Sequence, residues 1–267
     1  MSSTRTIAAL LAGAWLLGAA ASSPATTCTT DAHCDDGNTC TIDTCDTGIS
    51  RCVNEPDVSA CGAFVDVMIP GRKIKIHVPP KAPDRNGVRM VLRQALRFAN
   101  LPVPDSGSDP VIHGGSMRIF SNVGDVFDRT YPLPADRWDY FPLFNADEYR
   151  GYQYKDSINT FGPFGVIKII AEKTAKFKAK GDTAKPMDFT LDSNPRPVGV
   201  ILTLGAIRYC MNWEGDRWQF KEGKIFWAKD TLEPSSCPCV TSSDCSNGDA
   251  GDGIEQCVAG FCEPGTP

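Results

Sequence analysis

The chain has 267 residues and a formal net charge of −5. It is long enough to close a hydrophobic core, and its acidity argues against general nucleic-acid binding, which needs a strong positive field. Of its twelve cysteines, six crowd residues 28–61 and five crowd residues 237–262, so only Cys210 stands between the two clusters.

The N-terminus reads as an export signal. Arg5 supplies a positive start, Ile7 to Gly18 is uncharged and mostly apolar, and Ala19-Ala20-Ala21 offers small residues for cleavage. The expected leader is 1–21, with a second cleavage option after Ala25. A spanning helix needs roughly 20 apolar residues, and this run breaks at Ser22-Ser23-Pro24, so no membrane span is expected after signal removal. Export places the cysteines in an oxidising compartment and reads them as disulfides: Cys28, Cys34, Cys40, Cys45, Cys52 and Cys61 in one cluster, and Cys237, Cys239, Cys245, Cys257 and Cys262 in the other. Zinc spacing is missing, with no Cys-x-x-Cys and three scattered histidines.

Three regions follow the leader: a cysteine-rich module over 28–61, a body over 62–236, and a second module with a tail over 237–267. The modules share spacings, since Cys28-x5-Cys34 matches Cys239-x5-Cys245 and Cys40-x4-Cys45 matches Cys257-x4-Cys262. One unit used twice is the expectation.

The body reads as strands. Ile74, Ile76 and Val78 alternate with Lys73, Lys75 and His77; Met117 and Ile119 alternate with Ser116 and Arg118; Ile207 to Trp213 alternates likewise. Period two predicts one buried and one wet face. Val200 to Leu204 is continuous enough to be covered on both sides. Phe164 to Ile170 and Ala175 to Lys180 predict a hairpin around Glu172-Lys173, with Phe164, Val166, Phe177 and Ala179 on its apolar face. Val88, Val91, Leu92, Ala95 and Leu96 fit a helical period better and predict a strand running into a helical turn. The fold expected is mainly β: an antiparallel sandwich, or two stacked sandwich halves, flanked by two small disulfide-rich modules.

The body carries Gly114-Gly115-Ser116-Met117-Arg118-Ile119, Leu133-Pro134-Ala135 with Trp138, Gly151-Tyr152-Gln153-Tyr154-Lys155-Asp156, Gly162-Pro163, Asp188-Phe189-Thr190-Leu191, and Leu202-Thr203-Leu204-Gly205 leading to Arg208-Tyr209-Cys210. In order and spacing these resemble a β-domain that recurs in secreted proteins of myxobacteria and related deltaproteobacteria, over about residues 63–238. The leading module, with Cys34-Asp35-Asp36-Gly37-Asn38-Thr39-Cys40, is similar to cysteine repeats of such proteins. The resemblance implies a bacterial secreted protein and no particular activity. It also implies a bridge between Cys210 and Cys237. The resemblance further implies a cysteine pair in relatives at the positions of Phe164 and Ala179, which would face each other in the hairpin. Cys239–Cys257 and Cys245–Cys262 are then favoured in the second module. By analogy the first module would pair Cys28–Cys40 and Cys34–Cys45, leaving Cys52–Cys61. Sequence alone leaves other pairings open.

Motifs for chemistry are sparse. No Gly-x-Ser-x-Gly, His-Glu-x-x-His or phosphate-cradling glycine loop occurs. The expectation is therefore no catalytic residues, no enzyme and no cofactor. Three features could bind. Trp138, Phe141 and Phe144, within the aromatic segment 131–154, could stack on sugars, against a bland reading as core. Asp35, Asp36 and Asp43, and Asp249 and Asp252, offer hard oxygen ligands for calcium, against ordinary turn chemistry. Lys173, Lys176, Lys178, Lys180 and Lys185 form a basic run, read as guarding a sheet edge or attracting an acidic polysaccharide. The function expected is an exported structural, adhesion or binding protein at the cell surface or outside it. A carbohydrate-binding module using the aromatic segment is the alternative, and an exported enzyme or inhibitor with an unfamiliar site the third. The partner would be an extracellular or envelope protein or a polysaccharide, not a nucleic acid.

Overall fold

The computed structural model describes residues 28–48, 50–82, 87–95, 101–141, 150–158, 160–170, 174–180, 187, 190–214, 216–248 and 253–265. The leader, Lys173 and Lys185, Phe144, and Asp249 and Asp252 lie outside them.

The body is a sandwich of two sheets. The five-stranded sheet runs β3 (Val65–Met68), β13 (Ile207–Trp213), β12 (Val198–Leu204), β6 (Gly115–Ser121) and β7 (Phe127–Leu133). All its pairs are antiparallel except β3 with β13. The eight-stranded sheet runs β14 (Arg217–Lys221), β15 (Ile225–Lys229), β4 (Gly71–His77), β5 (Gly87–Ala95), β11 (Thr174–Lys180), β10 (Phe164–Ile170), β9 (Gly151–Lys155) and β8 (Trp138–Phe141). Inward residues of both sheets form one core, with Ile74, Ile76, Met90, Ile167, Tyr152 and Tyr154 on one side and Met117, Val200, Leu202, Tyr209 and Met211 on the other. The Trp213 ring from β13 lies over Gly71 of β4. A Cβ built on that glycine would come within 2.4 Å of the indole, so only glycine lets the sheets approach this closely here.

Several strands follow the sequence pattern. Phe164 pairs with Ala179 in the β10–β11 register, and every residue of β12 is buried. Of the strand expected to run into a helical turn by Leu96, Leu96 lies outside the described residues, and through Ala95 the segment is the strand β5, with no helical turn. Its register slips where Gly71 pairs with Leu92 and Lys73 with Val91, and a bulge of this kind breaks strict alternation and imitates a helical period. The wet faces expected for β6 and β13 are corrected as well. Both strands are buried on almost every residue, because the cysteine modules cover the outer face of their sheet.

The two modules are built alike. The first has a 3-10 turn at Asp31–His33 and a hairpin of β1 (Thr41–Asp46) and β2 (Arg51–Pro56), followed by the short helix α1 (Val58–Cys61). The second has a 3-10 turn at Ser242–Cys245 and a hairpin of β16 (Gln256–Val258) and β17 (Phe261–Glu263). Helix α2 (Pro110–His113) leads into β6. Among the described residues no helix is long and apolar enough to cross a membrane.

Candidate functional site

The bridges give the modules their shape. In the second module Cys239 bonds Cys257 and Cys245 bonds Cys262, and Cys210 bonds Cys237. The first module departs from its expected pairing: Cys28 bonds Cys45, Cys34 bonds Cys52 and Cys40 bonds Cys61. The reason is the hairpin. Cys45 lies directly opposite Cys52 across β1 and β2, as Cys257 lies opposite Cys262 across β16 and β17. The hairpin cysteines, not Cys40 and Cys45, are thus the counterparts of Cys257 and Cys262. In both modules the first cysteine bonds the third of this set and the second bonds the fourth, over separations of 17 and 18 residues. The hydrogen bond from the third cysteine's N–H is also shared. Cys45 donates to Asp31 Oδ1 at 2.8 Å and Cys257 to Ser242 Oγ at 3.2 Å. Cys40–Cys61 is an addition that ties the loop before β1 to α1.

Both modules dock on the outer face of the five-stranded sheet. Arg118 of β6 pairs with Asp128 of β7 at 2.7 Å and with Asp244 of the second module at 2.9 Å. Burial would lower the Arg118 pKa, but the two carboxylates more than offset this and hold the guanidinium charged. Arg208 of β13 grips Asp66 of β3 through two nitrogens, at 2.6 and 2.9 Å, and donates to the carbonyls of Asp244 and Ser246. From the first module, Asn38 Nδ2 donates to Gly205 O at 3.0 Å and Thr39 N donates to His113 O at 2.8 Å. The second module also bonds the start of the body, with Phe64 N donating to Asn247 O. Where sheet and modules meet lies a polar cavity of about 80 Å³, lined by Asp36, Asn54, Ser116, Arg118, Arg208 and Asp244 among others. It has the size and polarity to hold ordered water.

The acidic candidates of the first module serve its internal structure. Asp35 accepts from Gly37 N, and Asp36 accepts from Asn38 N and Thr41 Oγ1. Asp43 accepts from Asn54 Nδ2 and from Asp36 N. Burial raises the Asp36 pKa to about 6, and burial together with the neighbouring Asp36 charge raises that of Asp43 to about 7. Both folded values exceed the unfolded one, so the folded state binds protons more tightly. This pair's stabilisation is complete below about pH 4 and is lost as pH rises through about 6 to 7. Asp43→Asn should remove most of that slope and raise stability at pH 8 by about 1–2 kcal/mol, discounted for the half-exposed site, with little change at pH 4. Chemical denaturation at the two pH values checks it, and equal effects at both would refute it.

The expectations of no cofactor, with calcium as a weak alternative, and of no enzymatic capacity are corrected by four clusters of ligand-bearing side chains. Each brings three ligand atoms within 4.8 Å of one another: Cys28, Cys34 and Cys45; Cys40, Cys61 and His113; Cys239, Cys245 and Cys262; and Asp66, Cys210 and Cys237. These are candidate metal sites built from sulfur, imidazole and carboxylate, and such ligand sets can support catalysis. Asp35, Asp36 and Asp43 form no such set among the described residues. Every cluster contains a bonded cysteine pair, and metal needs thiolate, so opening the bridge is the condition for coordination. In the Cys40 cluster, His113 Nδ1 lies 3.6 Å from Cys61 Sγ and 2.9 Å from Thr39 Oγ1.

Of the aromatic candidates, Trp138 is 3% exposed, donates from Nε1 to Leu133 O and packs on Tyr154. Its ligand role is corrected to core packing. Phe141 is half-buried at the edge strand β8, with Lys168 Nζ 5.7 Å from its ring centre.

The basic run sits where sequence did not place it. β11 is an interior strand, flanked by β5 and β10, so edge protection does not explain its lysines. Register lines cations up in two rows across the outer face of the eight-stranded sheet. One row passes through Gln219, Trp227, Lys75, Arg89, Lys178, Val166 and Lys155. The next passes through Arg217, Lys229, Lys73, Val91, Lys176, Lys168, Gln153 and Asp139. The only acid in either row is Asp139. Lys73, Arg89, Lys155 and Lys168 are exposed, and none of them makes an ion pair among the described residues. Sequence held the lysines but not their neighbours, because the pairing of β11 with the distant β5 is not written in either run.

Comparison with protein-family models, with curated proteins and with solved structures gives no match.

Proposed function

We propose that the chain is an exported, disulfide-stapled binding protein that acts at the cell surface or outside it, using the open face of its eight-stranded sheet for contact. The observation that carries this reading is the asymmetry of the sandwich. The cysteine modules cover one sheet, the second through Arg118 and Arg208 and the first through Asn38, while the other sheet presents an exposed face on which Lys73, Arg89, Lys155 and Lys168 make no ion pair among the described residues. All twelve cysteines are bonded, which suits an oxidising compartment. The sequence of the leader and the resemblance to secreted bacterial proteins support the same location. The ligand is an extracellular or envelope polymer or protein.

Fractionation of the producing cell, with N-terminal sequencing and thiol labelling, tests this. The protein should be found in the envelope or culture fluid, begin between residues 22 and 26, and label at no cysteine. Cytosolic protein with an intact leader and free thiols would refute it.

A further inference from the structure

The basic rows carry a stability penalty that their position does not explain. Like charges directly opposite across strands destabilise a sheet, and here Lys75 faces Arg89 and Lys229 faces Lys73 in register. Edge strands use lysine to repel other chains, but β4 and β5 are interior strands with partners on both sides. The same surface belongs to a chain whose formal net charge is −5, so the cations are segregated rather than in general excess.

We propose that this face is a binding site for an acidic polysaccharide, a chain of sugars bearing carboxylate or sulfate groups. The inference rests on the reading of the protein as an exported binder and names the ligand class for that same surface. Strands lie about 4.8 Å apart and same-face residues about 6.8 Å apart along each strand, so the rows make a broad grid of positive charge. A flexible polyanion can lie across such a grid and meet one cation after another. Lysine predominates over arginine in both rows. Its ammonium is a point charge that suits dispersed carboxylates or sulfates better than the bidentate phosphate and base contacts that favour arginine. Trp227 adds a half-buried ring within the row, beside Lys75, with its Nε1 bonded to Gln219 at 2.7 Å and Lys229 Nζ 4.8 Å from the ring centre. A ring among cations fits a charged sugar, which offers both a C–H face and an anionic group.

The test uses the oxidised mature protein and affinity electrophoresis in gels containing polygalacturonate, with dextran as the neutral polymer and duplex DNA as the competing polyanion. Polygalacturonate should retard the protein at about 0.05 M salt, and the effect should fade by about 0.3 M, where the Debye length is short. Dextran should not retard it, and DNA should do so less than polygalacturonate. Arg89→Glu should weaken binding about tenfold while leaving the melting temperature unchanged or higher, because a carboxylate opposite Lys75 replaces a like-charge pair with an opposite-charge one. A merely structural role would move the melting temperature instead. Should that variant unfold, Lys155→Glu with Lys168→Glu on the other side of β11 decides, and the same loss of binding is expected.

No retardation by polygalacturonate, equal retardation by dextran, tighter binding to DNA, or unchanged binding in a folded charge-reversed variant would each overturn the proposal. Protein recovered outside the cytosol that fails to bind polygalacturonate would overturn this ligand class alone. Protein retained in the cytosol would overturn the export reading and leave the binding result standing.

Discussion

Arg208→Ala should destabilise the oxidised protein by about 3 kcal/mol and release the second cysteine module from the sheet. The side chain is 7% exposed, forks onto Asp66 of β3 and donates to two backbone carbonyls of that module. Its removal strips the Asp66 carboxylate of two hydrogen bonds and leaves the Asp244 and Ser246 carbonyls without this donor in a partly closed space. Arg208→Lys keeps the charge but loses the fork, so it should recover only part of the loss. Urea unfolding gives the magnitude. Amide exchange in β16 and β17 should rise in Arg208→Ala even under native conditions. A loss below about 1 kcal/mol would show that the bridge to Cys237 holds the module without the guanidinium.

Trp213→Ala should cost about 3–5 kcal/mol. This indole is fully buried and fills the space left by Gly71 on the facing sheet, so its loss opens a cavity between two backbones that cannot easily close. Trp213→Phe keeps most of the volume. It also removes an indole N–H that has no hydrogen-bond partner among the described residues, and should cost less than half as much. Calorimetric melting of both variants checks the order. An alanine variant no less stable than the phenylalanine variant would mean that the sheets settle together once the indole is gone.

What sequence could show depended on whether a feature was local. The β10–β11 hairpin was legible in two alternating runs across a short break, but the bulge between Phe164 and Val166 was not, and it puts Val166, expected on the apolar face, opposite Lys178 and 40% exposed. The double coverage of β12 was legible in its unbroken apolar run. The covered outer faces of β6 and β13 were not legible. Ser116, Arg118 and Arg208 read as solvent-facing residues, and they are instead the polar contacts on which two distant modules sit. Cys40 misled because its spacing to Cys45 copies Cys257-x4-Cys262, whereas pairing follows which cysteines stand across a hairpin. Trp138 read more readily as core than as a sugar platform, and its buried indole N–H bonds Leu133. The cationic face needed the most distant information, since its rows cross strands from residues 73 to 229. The candidate metal cluster of Cys40, Cys61 and His113 was illegible for the same reason, as His113 approaches Cys61 only through the docking of α2 against the first module.

Lysine footprinting decides whether the cationic face is the surface that binds. The oxidised protein is acetylated briefly, alone and with polygalacturonate or dextran, and each lysine is scored by peptide mass. Lys73, Lys75, Lys155 and Lys168 should react readily in the protein alone, become protected together by polygalacturonate, and be unaffected by dextran. Slow reaction at these four in the unliganded protein, or protection no greater than at lysines elsewhere on the surface, would contradict an open cationic face as the binding surface.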